Sequence, residues 1–256
     1  TVILYLTHLT QLGRKPATLD KILAAISFAH QSQGHPVPKD FYTRQTMQGI
    51  RRVVGSKQRQ VKPITVEVLR RMVVSLPETL PGARTKALLL LGFAGAFRRS
   101  EVVSLNVADL EFDPRGLICN LARSKVDQEG RGARVAISRG SEGMDPIEAV
   151  QSWLALARIT EGAVFRSFDF FGNLTDRRLD PQSVAWLIHK IMFKLGEEPR
   201  DFSGHSLRAG FATSAVRAKK DLYKIKKQTR HASLEMLDRY VRSESIFEDH
   251  AGDDLL

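Results

Sequence analysis

The chain has 256 residues, 43% of them hydrophobic, and a net charge of +11, enough apolar content for one or two cored domains and a charge that points to a polyanionic partner. Its one cysteine, Cys119, excludes an internal disulfide and fits a reducing cytoplasm. No signal peptide is visible, and the apolar run Ala87–Phe97, bounded by Lys86 and Arg98, is too short to span a bilayer.

Residues 1–54 read as helical. The first residue is Thr with a helix already under way, so the chain is expected to lack its native start. Thr18 is expected to cap a helix carrying Leu19, Ile22, Leu23 and Ile26, with Gly34 beyond its end. Asp40 is expected to cap another that carries Met47 and Ile50. Residues 1–62 hold ten Lys/Arg against two Asp, which is +8 of the +11. Five of those cations fall in RRVVGSKQRQVK, either a solvated linker or a segment crossing a DNA backbone. Pro63 begins a new unit.

Thr65 is a plausible cap for a helix through Met72. Arg84–Phe97 reads as a buried helix, after which Ser100 caps a short helix containing Glu101 and Val103. The alternating stretches Leu117–Leu121 and Ala133–Ile137 flank the polar turn VDQEGRG and read as a hairpin, with Cys119 a small core residue of its first strand. Ile147, Val150, Leu154 and Ala157 mark a helix. Asp180-Pro181 starts another, whose stripe is Val184, Leu187, Ile188, Ile191 and Leu195. His205 and Arg208, three apart, are expected on one helix face. Arg217–Arg230 carries seven cations and one Asp, lining a polyanion or simply solvated. Ser233 is a candidate cap for a helix presenting Tyr240. The last fourteen residues hold five acids and no Lys or Arg. Zinc-ligand spacing and a nucleotide-binding glycine motif are both absent from the sequence.

His205, Arg208, His231, Tyr240 and, far upstream, Arg98 together supply cations for a phosphate, a proton-transfer group and a phenolic nucleophile. Guanidinium forks bind phosphate oxygens bidentately, and a tyrosine hydroxyl can attack phosphorus once a base takes its proton. Any one of these residues reads more simply as structural; the ordered set with its flanking words does not. The words GAFRRSE, RSK, GHSLRAG, TRH and RYVR resemble those of the tyrosine recombinase (phage integrase) family. GHSLRAG and the YVR ending are nearest to its Cre-like branch. The resemblance spans Lys62 to Tyr240.

That resemblance implies a mainly α fold with a small β-sheet (α+β): a helical, SAM-like core-binding domain over residues 1–58 and a catalytic domain over 59–256, ending in an oligomerisation tail over about 243–256. It implies that Tyr240 attacks the scissile phosphate and forms a 3′-phosphotyrosyl link while Arg98 and Arg208 neutralise the non-bridging oxygens. It further implies that Lys125 protonates the leaving 5′-oxygen, His205 assists proton transfer at the tyrosine, His231 donates to the phosphate and Glu101 orients the site. Arg98 is preferred to Arg99 by its spacing from Ser100 and Glu101; Lys86 is a weaker rival to Lys125. Candidate DNA contacts are Arg44, Arg51, Arg52, Lys57, Arg59, Lys62, Arg99, Arg123, Arg230 and Arg242. No metal, cofactor or nucleotide is expected, because the covalent link conserves the phosphodiester's energy and the cations carry the charge. The expected partners are a double-stranded DNA recombination site and further copies of the chain, in a tetramer joined through the tail and working through a Holliday junction. The expected location is the cytoplasm, on the nucleoid in a bacterium. The alternatives are a catalytically silent DNA-binding relative and a type IB topoisomerase-like enzyme.

Overall fold

A computed structural model describes residues 1–55, 60–122 and 132–244, the last with backbone only at 239 and 241–244. Packing divides the chain into two compact units, Thr1–Gln60 and Val61–Leu256.

The smaller unit holds three helices, α1 (Val2–Gln11), α2 (Pro16–Ser32) and α3 (Phe41–Val54). Helix α2 starts two residues before Thr18, with Lys15 at the N-cap and Pro16 in the first turn. Proline's fixed φ and missing N–H suit that turn, so Thr18 lies inside the helix instead of capping it. Asp40 does cap α3, accepting from the Thr43 N–H at 2.7 Å. Leu6, Leu19, Met47 and Ile50 form the unit's small core, with Val2, Leu9 and Leu23 packed on it.

The larger unit contains α4 (Val66–Val74), α5 (Leu80–Ala94), α6 (Arg99–Ser104), strands β1 (Leu110–Asp113), β2 (Gly116–Leu121) and β3 (Ala133–Ser138), and α7 (Pro146–Ala157). The hairpin β4 (Arg166–Phe168) and β5 (Leu174–Arg178) follows, then α8 (Pro181–Lys194), α9 (Ser206–Arg217), α10 (Leu222–Thr229) and α11 (Glu235–Glu244). The expected hairpin is present as β2–β3, with Leu121 opposite Ala133. Strand β1 extends it to an antiparallel sheet of order β1-β2-β3.

Helix α5 is the centre of this unit. Ala87, Leu88, Leu89, Leu90 and Leu91 are all buried, so a run that is apolar on every side here becomes a helix surrounded by protein. It starts at Leu80 because Thr79 accepts from the Gly82 N–H, one turn ahead of the expected Arg84. Trp153 of α7 is fully buried and satisfies its indole by donating to the Val164 carbonyl at 2.8 Å. Truncating such a residue to Ala costs about 3–5 kcal/mol. The second glycine of GHSLRAG has a close-packing reason: a Cβ on Gly210 would lie 1.7 Å from the Ile64 carbonyl oxygen. That contact lets α9 lie against the extended chain entering α4, where the Ile64 N–H donates to Ser206. Two other expected caps are displaced. Arg98, not Ser100, stands at the N-cap of α6, and α11 begins at Glu235, two residues after Ser233.

Candidate active site

The site forms where the turn after α5, the first turns of α6 and α9, and the end of α10 meet. Ala96 adopts a left-handed backbone, φ 45°, which turns the chain sharply between α5 and Arg98. Arg98 stands at the N-cap of α6 and makes two bonds to one carboxylate: its backbone N–H donates to Glu101 Oε2 at 2.9 Å, and its Nη1 donates to Oε1 at 2.5 Å. Glu101 is 4% exposed. Burial works against its charge, but the Arg230 guanidinium and the bonds from Arg98 outweigh this and hold its carboxyl below the usual range.

Arg208 enters from the first turn of α9 and is 5% exposed. Its Nη1 donates to the Ala96 carbonyl at 3.0 Å, whereas its Nη2 is buried without a hydrogen-bond partner. Desolvation, followed by repulsion from Arg98 and Arg230, pushes its pKa down to about 10. That still leaves it charged near neutrality. Three guanidiniums (Arg98, Arg208, Arg230) thus surround one carboxylate, a local surplus of two positive charges. A buried surplus of this kind is unfavourable until an anion enters.

His231 follows Arg230 directly and is buried. Its Nδ1 lies 2.7 Å from the Thr229 hydroxyl, and that hydroxyl sits 2.7 Å from the Ile225 carbonyl. The carbonyl can only accept, so the Thr229 proton points to it and the hydroxyl oxygen accepts from Nδ1–H. This arrangement makes Nε2 an acceptor in the neutral ring and a donor only in the imidazolium. Tyr240 of α11 is half-buried against Ala212, Ile225 and Leu237. Its ring centroid is 6.2 Å from that of His231.

Arg98, Glu101, Arg208, His231 and Tyr240 therefore converge, as does Arg230. His205 stands at the N-cap of α9 with helical backbone angles and is exposed, while Arg208, three residues on, is buried. Arg98 and Arg99 differ in their surroundings: Arg98 is bonded to Glu101. Arg99 packs its stem against Gly204, where a Cβ would lie 2.9 Å from Arg99 Cδ, and it forms no bond to Glu101. Lys86 is half-buried inside α5. Lys125, Arg123, Lys57 and Arg59 lie outside the described residues, as does the tail beyond residue 244 and the side chain of Arg242.

Of the remaining candidate contacts, Arg44 and Arg52 are exposed on α3. Arg51 pairs with Asp20 at 2.6 Å, and Lys62 pairs with Asp201 at 2.9 Å. Arg230 does not stand on the surface with them; it belongs to the buried cluster. Buried Cys119 has its thiol pushed up to about 12 by desolvation, which suits a core residue. Among the described residues no group of three or more His, Cys, Asp or Glu converges to hold a metal ion, and no helix is long and apolar enough to cross a membrane.

A model of the phage integrase family matches residues 62–245. The chain is 39% identical to an integrase/recombinase xerD homolog of Selenomonas ruminantium, over 98% of this chain and 75% of that protein. It is 26% identical to a tyrosine recombinase XerC of Pelotomaculum thermopropionicum, over 92% of this chain and 74% of that one. Among solved structures, the Tn1549 transposon integrase in complex with transposon right end DNA aligns with a TM-score of 0.67 and 14% identity, covering 96% of this chain and 83% of that one. These matches bear on the family and the fold, not on the Cre-like branch.

Proposed function

Because the chain belongs to the phage integrase family of tyrosine recombinases, we propose that it cuts and rejoins double-stranded DNA at specific sites through a 3′-phosphotyrosyl intermediate. The observation that carries this reading is the buried arginine cluster beside Tyr240, with one Arg208 donor unsatisfied. A phosphodiester supplies the anion that the cluster lacks, with Arg98 and Arg208 on its non-bridging oxygens as charge builds in the transition state. The Tyr240 oxygen bonds to phosphorus as the P–O5′ bond breaks. The tyrosine proton goes to a histidine, His231 being set beside the ring and His205 assisting from the exposed side. Once protonated, His231 donates to the phosphate. Lys125 protonates the departing 5′-oxygen. Reversal by a 5′-hydroxyl of another strand completes exchange with no nucleotide or metal.

On the same reading the smaller unit is a core-binding domain that grips the duplex through Arg44, Arg51 and Arg52. Residues from about 243 onward join copies into a tetramer, and the protein works in the cytoplasm on chromosomal or mobile DNA. The test is to sequence DNA trapped covalently on the protein, then offer two labelled duplexes bearing the recovered site in the presence of EDTA. Junctions between the two duplexes are expected. Relaxation of supercoils without junctions would favour a topoisomerase, and binding without any adduct a silent relative.

A further inference from the structure

Arg230 is not needed by the chemistry above, yet it is the most heavily bonded side chain of the site. Its Nη1 donates to the carbonyls of Gly95 at 3.0 Å and Gln228 at 2.8 Å. Its Nη2 donates to the Ala96 carbonyl at 3.1 Å and to Glu101 Oε2 at 2.8 Å. Each of these nitrogens has two hydrogens, so all four are committed, and Nε is sealed from solvent without a partner. The guanidinium lies 5.2 Å over the Phe97 ring. No terminal N–H remains for a phosphate. Arg208, in contrast, keeps Nη2 unsatisfied.

Those four bonds link every part that holds the phosphate-binding arginines. Glu101 Oε2 is shared between Arg230 and the backbone of Arg98, while Glu101 Oε1 holds the Arg98 fork. The Ala96 carbonyl is shared between Arg230 and Arg208. The Gln228 carbonyl ties this set to the end of α10, next to His231. Arg230 itself sits at φ 55°, a left-handed conformation that favours glycine. Arg158 takes the same left-handed C-cap position at the end of α7, so the four bonds of the Arg230 side chain, not its backbone, set it apart. We infer that Arg230 is a positioning residue, whose guanidinium fixes Glu101 and the Ala96 carbonyl so that Arg98 and Arg208 are held ready for the phosphate.

This inference rests on the proposed reading, and its test separates the two. Arg230→Gly relieves the backbone and removes only the side chain; Arg230→Lys keeps the charge but not the fork. Three quantities would be measured: single-turnover cleavage of a nicked duplex, DNA affinity by anisotropy across salt concentrations, and the ordering of the Arg98 Nε–H in the free protein by NMR relaxation. A misplacement of about 1 Å at a reacting group costs about 10²-fold in rate. Arg230→Gly should therefore cleave about 10²-fold slower, with Kd within about twofold of the parent and a looser Arg98, and added guanidinium ion should recover part of the rate. Arg230→Lys should also be slow. Parental cleavage with an equally ordered Arg98 would overturn the inference. A fall in affinity and salt slope matching the fall in rate would do so too, because it would make Arg230 a DNA contact. If the parent forms no adduct, the functional reading fails, and the Arg98 ordering still decides the positioning role.

Discussion

The two units carry positive charge in opposite ways. In the larger unit Arg208 is buried and Arg98 and Arg230 are partly buried, and hydrogen bonds to Glu101 or to backbone carbonyls fix all three. In the smaller unit Arg44 and Arg52 are exposed on α3, and Arg51 pairs with the exposed Asp20. On the proposed reading, side chains of one type do two jobs, and burial decides which. A guanidinium held in low dielectric acts on a reacting group, because its field is strong and its geometry fixed. A solvated one contributes affinity through counterion release, which salt removes. The comparison separates effects on rate from effects on binding.

The sharpest way to break that contrast is Arg208→Ala. It removes the cation whose Nη2 is unsatisfied, so single-turnover cleavage should fall about 10²–10³-fold while DNA affinity changes little. An affinity loss as large as the rate loss would put Arg208 in the same class as the surface cations. Glu101→Gln comes next. Its amide presents hydrogens where Arg98 and Arg230 also donate, so a fall of about 10²-fold in cleavage is expected. The same carboxylate sets a pH dependence. Its pKa is lowered in the folded chain, so its stabilisation is complete above the ordinary glutamate range and is lost as pH falls through the folded value. Thermal melts on acidification should therefore show a steeper loss for the parent than for Glu101→Gln.

The opposite arm of the comparison is the triple variant Arg44→Ala, Arg51→Ala, Arg52→Ala. Binding should weaken, and the slope of log K against log salt should fall by up to about 2.7 if all three meet phosphates. The cleavage rate of saturated complex should stay within about threefold of the parent. A changed rate at saturation with an unchanged salt slope would remove the distinction between the units. The smallest effect is expected for Thr229→Val, which deletes the hydroxyl that orients His231. One ordinary hydrogen bond corresponds to about three- to tenfold in cleavage.

Most of the candidate site is legible in the sequence, because the groups that phosphoryl-transfer chemistry needs come in fixed types at fixed separations. Arg98, Glu101, Arg208, His231 and Tyr240 could all be named from short words, and the fold places them together. In the sequence Arg230 is one of seven cations in a basic stretch and a candidate DNA contact. Its true setting depends on a left-handed φ and on carbonyls from a turn more than a hundred residues earlier, and no local pattern reports either. The exposure of His205 has no signal in the sequence, because spacing along a helix sets which side a residue lies on and not how deeply it is buried. In the fold, the buried helix and the β2–β3 hairpin announced themselves by apolar content and alternation. Strand β1 is only four residues long, and β4–β5 is mostly polar, so neither carries such a signal. Helix starts were misplaced at Thr18 and Ser100 because a proline in the first turn and a side-chain carboxylate at Glu101 supplied the termini instead.

The central claim is that Tyr240 is the atom donor for the covalent link, served by the buried arginines of its own unit. The most direct measurement is covalent capture of a nicked duplex by Tyr240→Phe beside the parent, read on a denaturing gel in EDTA, with affinity measured in parallel. The parent should form a protein–DNA adduct, and the variant none, at nearly equal affinity. An adduct of the same yield on Tyr240→Phe would contradict the account.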